Sequence, residues 1–183
     1  MRFKTLRTVA VVLLVELVLA IGVVLVVVKT GAYDVAATKP HHKLTEFVLS
    51  TTMDNSVRRH ASGIEPGARY AGPDRAEGLE HYQAMCVVCH GTPGVDPGEV
   101  GLGLNPPAPD LAESVTDLEP REVYWIIKNG IKMTGMPAFG PTHDEAALWN
   151  LTAFVKNLPG TTPQQYSQWV AAAGDGDQAH QDH

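Results

Sequence analysis

Cysteine is scarce in this chain: two among 183 residues, Cys86 and Cys89. A structural zinc site needs four ligands and ordinarily a second close pair. His41, His42, His60, His81, His143, His180 and His183 make no such pair with a further cysteine. No stretch alternates apolar and polar residues convincingly, so no sheet is expected. With it goes the βαβ setting that a thioredoxin-like cysteine pair requires. Basic residues are few as well. Residues 1–29 hold four of the 14 Lys and Arg and one of the 20 Asp and Glu, which leaves 10 against 19 beyond them, a balance of about −9. A surface of that sign argues against nucleic acid or an anionic membrane face as a partner.

Aliphatic residues are abundant by contrast, and they are unevenly placed. Residues 9–28 are nearly all Val, Leu, Ile and Ala, broken by Glu16 and Gly22. Twenty residues at about 1.5 Å each span about 30 Å, the thickness of a bilayer core. Arg2, Lys4 and Arg7 precede the run, so its N-terminus is expected to stay cytoplasmic and the rest to be exported. A cleaved signal peptide is the alternative, with Val35-Ala36-Ala37 as the small-residue site. A secretory apolar core of roughly 7 to 15 residues is shorter than this one, which favours an uncleaved anchor crossing the bilayer through residues 8–28. A carboxylate at mid-depth is costly in lipid, so Glu16 is expected either to contact a polar residue of another membrane subunit or to sit there protonated.

The two cysteines stand three apart with a histidine directly behind the second: Cys86-Val87-Val88-Cys89-His90. That spacing is the attachment signature of a covalent c-type haem. Two thiols can reach the vinyl groups of one porphyrin, and the next residue can give the iron an imidazole nitrogen. A disulfide between the pair would leave His90 without a role. Haem iron in such proteins takes His on one face and Met on the other. Lys132-Met133-Thr134-Gly135-Met136-Pro137-Ala138-Phe139 offers the second ligand. Met136 is favoured because the Gly-Met-Pro turn points its side chain. Met133 is the rival and reads equally as a packing residue, while Met53 and Met85 read as core or surface.

In chain order, residues 30–40 read as a polar tether. Residues 44–59 read as an amphipathic helix that could lie on the bilayer, dock on a partner subunit or pack on the following domain. Residues 64–72 read as linker. Asp74 can cap a helix running through Gly78 and Tyr82 to the cysteines. Gly78 costs that helix about 1 kcal/mol relative to Ala, so it calls for a packing reason. A close crossing with a helix over residues 144–158, with Leu148, Leu151, Phe154, Val155 and Leu158 on its apolar face, would supply one. Thr142 or His143 stands at the start of that helix, and Asp144 and Glu145 fall in its first turn. Residues 91–109 read as loop. A further helix covers residues 118–129, opened by Glu119-Pro120 and closed by Gly130. Tyr124, Trp125 and Trp149 read as core, with Trp125 near the haem. Residues 162–173 read as one more short helix around Tyr166 and Trp169, and the polar residues 174–183 as disordered, with His180 and His183 in a solvated tail.

Residues 74–158 together resemble the class I cytochromes c, in particular single-haem bacterial ones tethered by an N-terminal helix. Gly78 and Tyr82 match the small-then-aromatic positions of the first helix. Cys86, Cys89 and His90 match the attachment site. Pro109-Asp110-Leu111 matches the Pro-x-Leu segment, which implies that the Pro109 carbonyl holds the proximal imidazole and Leu111 packs on the ring. Met136 matches the distal ligand, and Leu151 with Phe154 the final helix. The resemblance implies an all-α fold around one covalent heme c, with His90 and Met136 as metal ligands.

A carbonyl on the far nitrogen of His90 would fix its tautomer and make it a better ligand. The thioether of Met136 is a soft donor that favours reduced iron. With both axial positions filled, no substrate has a place to bind, so the chain is expected to carry electrons and not to be an enzyme. The expected division is 1–29 anchor, 30–72 tether with helix, 73–160 cytochrome domain and 161–183 extension. The expected place is the cytoplasmic membrane with the domain on its periplasmic side, and the expected partners are membrane respiratory complexes, a donor on one side and a terminal oxidase or reductase on the other. Lys128, Lys132 and Lys156 are expected to ring the exposed haem edge. A fixed haem subunit of a larger respiratory or dehydrogenase complex is one alternative. A haem enzyme or gas sensor with a labile Met136 is another.

Overall fold

The computed structural model describes residues 2–66 and 68–179, which fall into two compact units, one running to Lys39 and one beginning at Pro40. The first unit is essentially one helix, α1 (Arg2–Thr30), whose side chains are exposed along nearly its whole length. Residues Phe3–Thr30 are long and apolar enough to cross a membrane, as an anchor or a signal sequence would be.

The second unit is helical, with a single isolated bridge between Thr92 and Val95 and no strand among the described residues. Its elements are α2 (Lys43–Ala61), α3 (Ala68–Ala71), α4 (Arg75–His81), a π-helical turn (Tyr82–Cys86), α5 (Val87–His90), α6 (Glu99–Leu102), α7 (Leu111–Ser114), α8 (Pro120–Asn129), α9 (Glu145–Lys156) and α10 (Pro163–Ala179). The capping chemistry explains several of these boundaries. The Asp74 side chain accepts from the N–H groups of Ala76 and Glu77 at 2.9 and 3.1 Å, satisfying donors that the first turn of α4 leaves free. Asp144, not Thr142 or His143, caps α9, accepting from the Ala147 N–H at 2.9 Å. Pro120 opens α8, and the Glu122 carboxylate accepts from the Glu119 N–H at 2.7 Å in a capping box.

The helix leading to the cysteines is not continuous. At Tyr82–Cys86 the hydrogen bonding widens, so that the Val87 N–H reaches the Tyr82 carbonyl five residues back. One extra residue in the turn changes the direction in which every downstream side chain faces. Apolar periodicity does not register a single inserted residue, so the sequence pattern gives no sign of this turn.

α4 crosses α9 closely. A Cβ added at Gly78 would stand 2.5 Å from the Asn150 carbonyl oxygen and 2.9 Å from Phe154 Cβ, so only glycine permits the approach. Asn150 ties the crossing: its side-chain oxygen accepts from the Asp74 N–H at 2.9 Å and its amide donates to Glu77 at 2.6 Å. Around it pack Leu79, Tyr82, Leu148, Leu151, Phe154 and Leu158, all buried. Trp149 is core, stacked on Tyr124 with ring centroids 4.0 Å apart.

Segments on either side of this core pack onto it. α2 lies on α8, burying Val57 and Ala61 (4% and 0% exposed) and stacking His60 on Trp125 at 5.7 Å. Trp125 therefore packs against α2. The stretch that reads as a linker contains α3, and Tyr70 within it meets Trp149 edge-on at 5.7 Å. α10 buries Tyr166, whose hydroxyl accepts from Gln83 at 2.6 Å. It continues to Ala179, through residues whose polar composition predicts disorder; Ala171, Ala172 and Ala173 are strong helix formers, and each further residue adds a backbone hydrogen bond to a helix already begun. His180 and His183 lie outside the described residues.

Lys156 corrects the expectation of a docking lysine. Its ammonium donates to the carbonyls of Val115 and Leu118 at 2.7 and 2.6 Å, holding the α7–α8 connection. Lys156→Met is expected to lower stability by about 1–3 kcal/mol, because two carbonyls lose their partner. Gly78→Ala is expected to cost about 1–2 kcal/mol net, overpacking outweighing the gain in helix propensity. Gly63→Ala, where nothing lies within 4 Å, should be nearly neutral. Denaturant unfolding of the three variants checks all three values.

Candidate haem site

Cys86 ends the π-helical turn and is buried, and Cys89 and His90 sit on α5 directly after it. The Tyr82 hydroxyl, one turn before, donates to the Gly91 carbonyl at 2.9 Å and ties the two ends of the segment together. Gly91 takes φ of 66°, a conformation that turns the chain away after His90 and that L side chains rarely adopt. The two cysteines are not joined in a disulfide. Burial, and then the neighbouring Cys89, pushes the unattached Cys86 thiol up to about 12.

His90 Nδ1 lies 2.9 Å from the Pro109 carbonyl oxygen. A carbonyl only accepts, so Nδ1 carries the proton and Nε2 keeps its lone pair for a metal. This is the contact that the Pro-x-Leu segment implies.

The distal loop is held from both ends. The Thr134 hydroxyl donates to the Ile131 carbonyl at 2.8 Å and accepts from the Met136 N–H at 3.1 Å. The Ile131 N–H in turn donates to the Met136 carbonyl at 3.2 Å. Just beyond, the N–H groups of Phe139 and Gly140 donate to the carbonyls of Ile127 and Lys128 at 3.1 and 2.9 Å, pinning the loop to the end of α8.

Between these parts lies a cavity of about 490 Å³. Cys86, Cys89, His90, Pro109, Leu111 and Met136 all line it, so the six residues singled out in the sequence are brought to one place. Apolar side chains of α8 and α9, such as Val123, Ile127, Leu151 and Val155, form much of the remaining wall. Met133 is not on the wall; it is 81% exposed, with φ of 61°. Neither Trp125 nor Lys128, Lys132 and Lys156 lines the cavity. Lys128 stands over the Tyr124 ring at 5.5 Å.

The donor set fits a porphyrin iron. Two thiols, one imidazole with a free nitrogen and one thioether converge in an apolar enclosure. Among the described residues no group of three or more His, Cys, Asp and Glu could hold a bare metal ion. Among the wall residues that escaped sequence reasoning in this role are Met53 and Asp54 from α2, and Met85 before the first cysteine. Nothing in the local sequence of Met53 and Asp54 marks them, since α2 reaches the cavity through its packing on α8.

Residues 73–155 match the family described as cytochrome c oxidase, cbb3-type, subunit III. No curated protein and no solved structure matches the chain. A strandless helical fold is implied by the resemblance, and it is the fold that the described residues adopt. Residues 73–155 thus resemble a cytochrome c domain, which points to haem binding and electron transfer.

Proposed function

We propose that the chain holds one covalent heme c, bonded through Cys86 and Cys89, with His90 and Met136 as the axial ligands. It passes single electrons between a respiratory donor and a terminal oxidase or reductase on the outer side of the cytoplasmic membrane. The observation that carries this reading is the convergence of both thiols, the free nitrogen of His90 and the Met136 thioether on one apolar cavity. When bound, haem iron supplies a one-electron couple between ferrous and ferric states. The Pro109 carbonyl keeps His90 in the ligating tautomer and raises its basicity. The bonds within the distal loop fix the backbone at Met136, so that its thioether would stay with a bound iron and keep small molecules from it. The apolar walls exclude water, which limits the solvent rearrangement that accompanies a change of charge. Leu111 packs beside the proximal ligand.

In this reading α1 stays attached as a single-pass anchor, and the domain works at the outer face. The family description favours a second reading: a fixed haem subunit of a membrane oxidase, with Glu16 of α1 meeting a polar group of another subunit. Size analysis of the protein solubilised in mild detergent separates the two, since a free carrier migrates alone and a subunit with its complex.

The reduced protein is expected to be low-spin and inert to carbon monoxide. Met136→Ala should give a high-spin ferrous form that binds the gas rapidly, while Met133→Ala should keep the parent spectrum. If Met133→Ala alone produced the high-spin form, the ligand assignment would be wrong. Cys86→Ser with Cys89→Ser should yield protein whose denatured form retains no chromophore. Intact mass of membrane-extracted protein should include residues 1–30 and one haem; loss of the N-terminal segment would identify a cleaved signal.

A further inference from the structure

The haem cavity has a wall that the matched domain does not supply. Met53 and Asp54 belong to α2, about twenty residues before the family match begins at residue 73, yet both line the cavity that Cys86, Cys89, His90 and Met136 share. Their position is set by how α2 is held. Val57, one turn after Met53, is buried, and so is Ala61 one turn further on. His60 stacks on Trp125 of α8, and its Nδ1 lies 2.8 Å from the Ser56 carbonyl within its own helix. The same helix α8 supplies Val123, Ile126 and Ile127 to the cavity. α2 is thus clamped at its C-terminal half, and its next turn extends over the rim. Met53 is covered on one side and open on the other, 38% exposed, as a side chain at the edge of an opening would be. Among the described residues no hydrogen bond to the Asp54 side chain appears, and the residue is exposed. The carboxylate therefore stands at the boundary between the cavity and water.

We infer that α2 is a built part of the haem site: Met53 is a cofactor-contact residue that closes one haem edge, and Asp54 is a fixed negative charge at that edge which lowers the reduction potential. The inference rests on the reading of the cavity as a haem site. Two opposed effects result. A carboxylate near the iron stabilises the ferric state, which carries one more positive charge than the ferrous state. An apolar side chain over the edge keeps water away and so disfavours the more highly charged state. Asp54 therefore pulls the potential down and Met53 pushes it up. The segment before the cytochrome domain becomes a means of setting the potential, separate from the choice of axial ligands.

The test is spectroelectrochemical titration of the full-length holoprotein in detergent at low and high salt. Asp54→Asn keeps the shape of an exposed side chain and should raise the midpoint potential. At a fixed ambient potential the ferric-to-ferrous ratio should fall roughly two- to tenfold, as one charge partly screened by water would produce. The effect should shrink as salt is added. Met53→Ala should shift the midpoint the other way. Glu46→Gln, on the same helix but off the cavity wall, should change little. If neither Asp54→Asn nor Met53→Ala moves the midpoint, or if Glu46→Gln moves it as far as Asp54→Asn, the inference is overturned. A shift with Asp54→Asn alone keeps the charge and removes the Met53 contact. Failure of the haem reading itself would look different: the unsubstituted protein would then lack a covalently held, low-spin chromophore.

Discussion

Everything around the proposed haem cavity depends on how closely α4 lies against α9. Gly78 leaves no Cβ between the helices, and Asn150 bridges them with one accepted and one donated hydrogen bond. A helix held that near its neighbour delivers the π-helical turn, the two cysteines and His90 to a defined place. A larger residue at position 78 would move the attachment segment away from the α8 and α9 side chains that form the opposite wall. Tight packing transmits such displacements, because interiors have little free volume to absorb them.

Each proposed iron ligand in the site is aimed by a group that is not itself a proposed ligand. His90 is turned by the Pro109 carbonyl, and Met136 is set by Thr134 and by backbone bonds to Ile131. The Tyr82 hydroxyl anchors the chain at Gly91, immediately beyond the histidine. These contacts range from two residues apart in sequence, for Thr134 and Met136, to 19 for His90 and Pro109. They confine the proposed ligands. A site confined in this way would change little when the charge at its centre changed by one, as electron transfer requires.

The segments outside the matched region are not spectators. α2 and α10 both pack on the cytochrome core, through Val57 and Ala61 in one case and Tyr166 in the other. Each adds a wall or a brace to elements that the core already contains. Lys156 serves the same end from within, committing its charge to two backbone carbonyls. Its position near the end of α9 resembles that of a surface lysine, and only its carbonyl partners reveal the internal role.

The attachment motif, the strandless character of the chain, the long apolar helix and the close crossing at Gly78 were legible in the sequence, because each rests on a local rule: residue spacing, periodicity or the cost of a glycine within a helix. Of the six proposed site residues, Cys86, Cys89, His90 and Met136 could be named from motif spacing and loop chemistry, while Pro109 and Leu111 came only with the resemblance to the class I cytochromes c. The π-helical turn, the pairing of His60 with Trp125, the engagement of Lys156 and the arrival of Met53 and Asp54 at the cavity were decided by tertiary structure alone. Each depends on which surfaces meet across dozens of residues, and such meetings are selected by the packing of the whole unit. A one-dimensional pattern carries the propensity of α2 to be a helix, but only the fit of Val57 and Ala61 against α8 determines that this helix reaches the rim of the haem cavity.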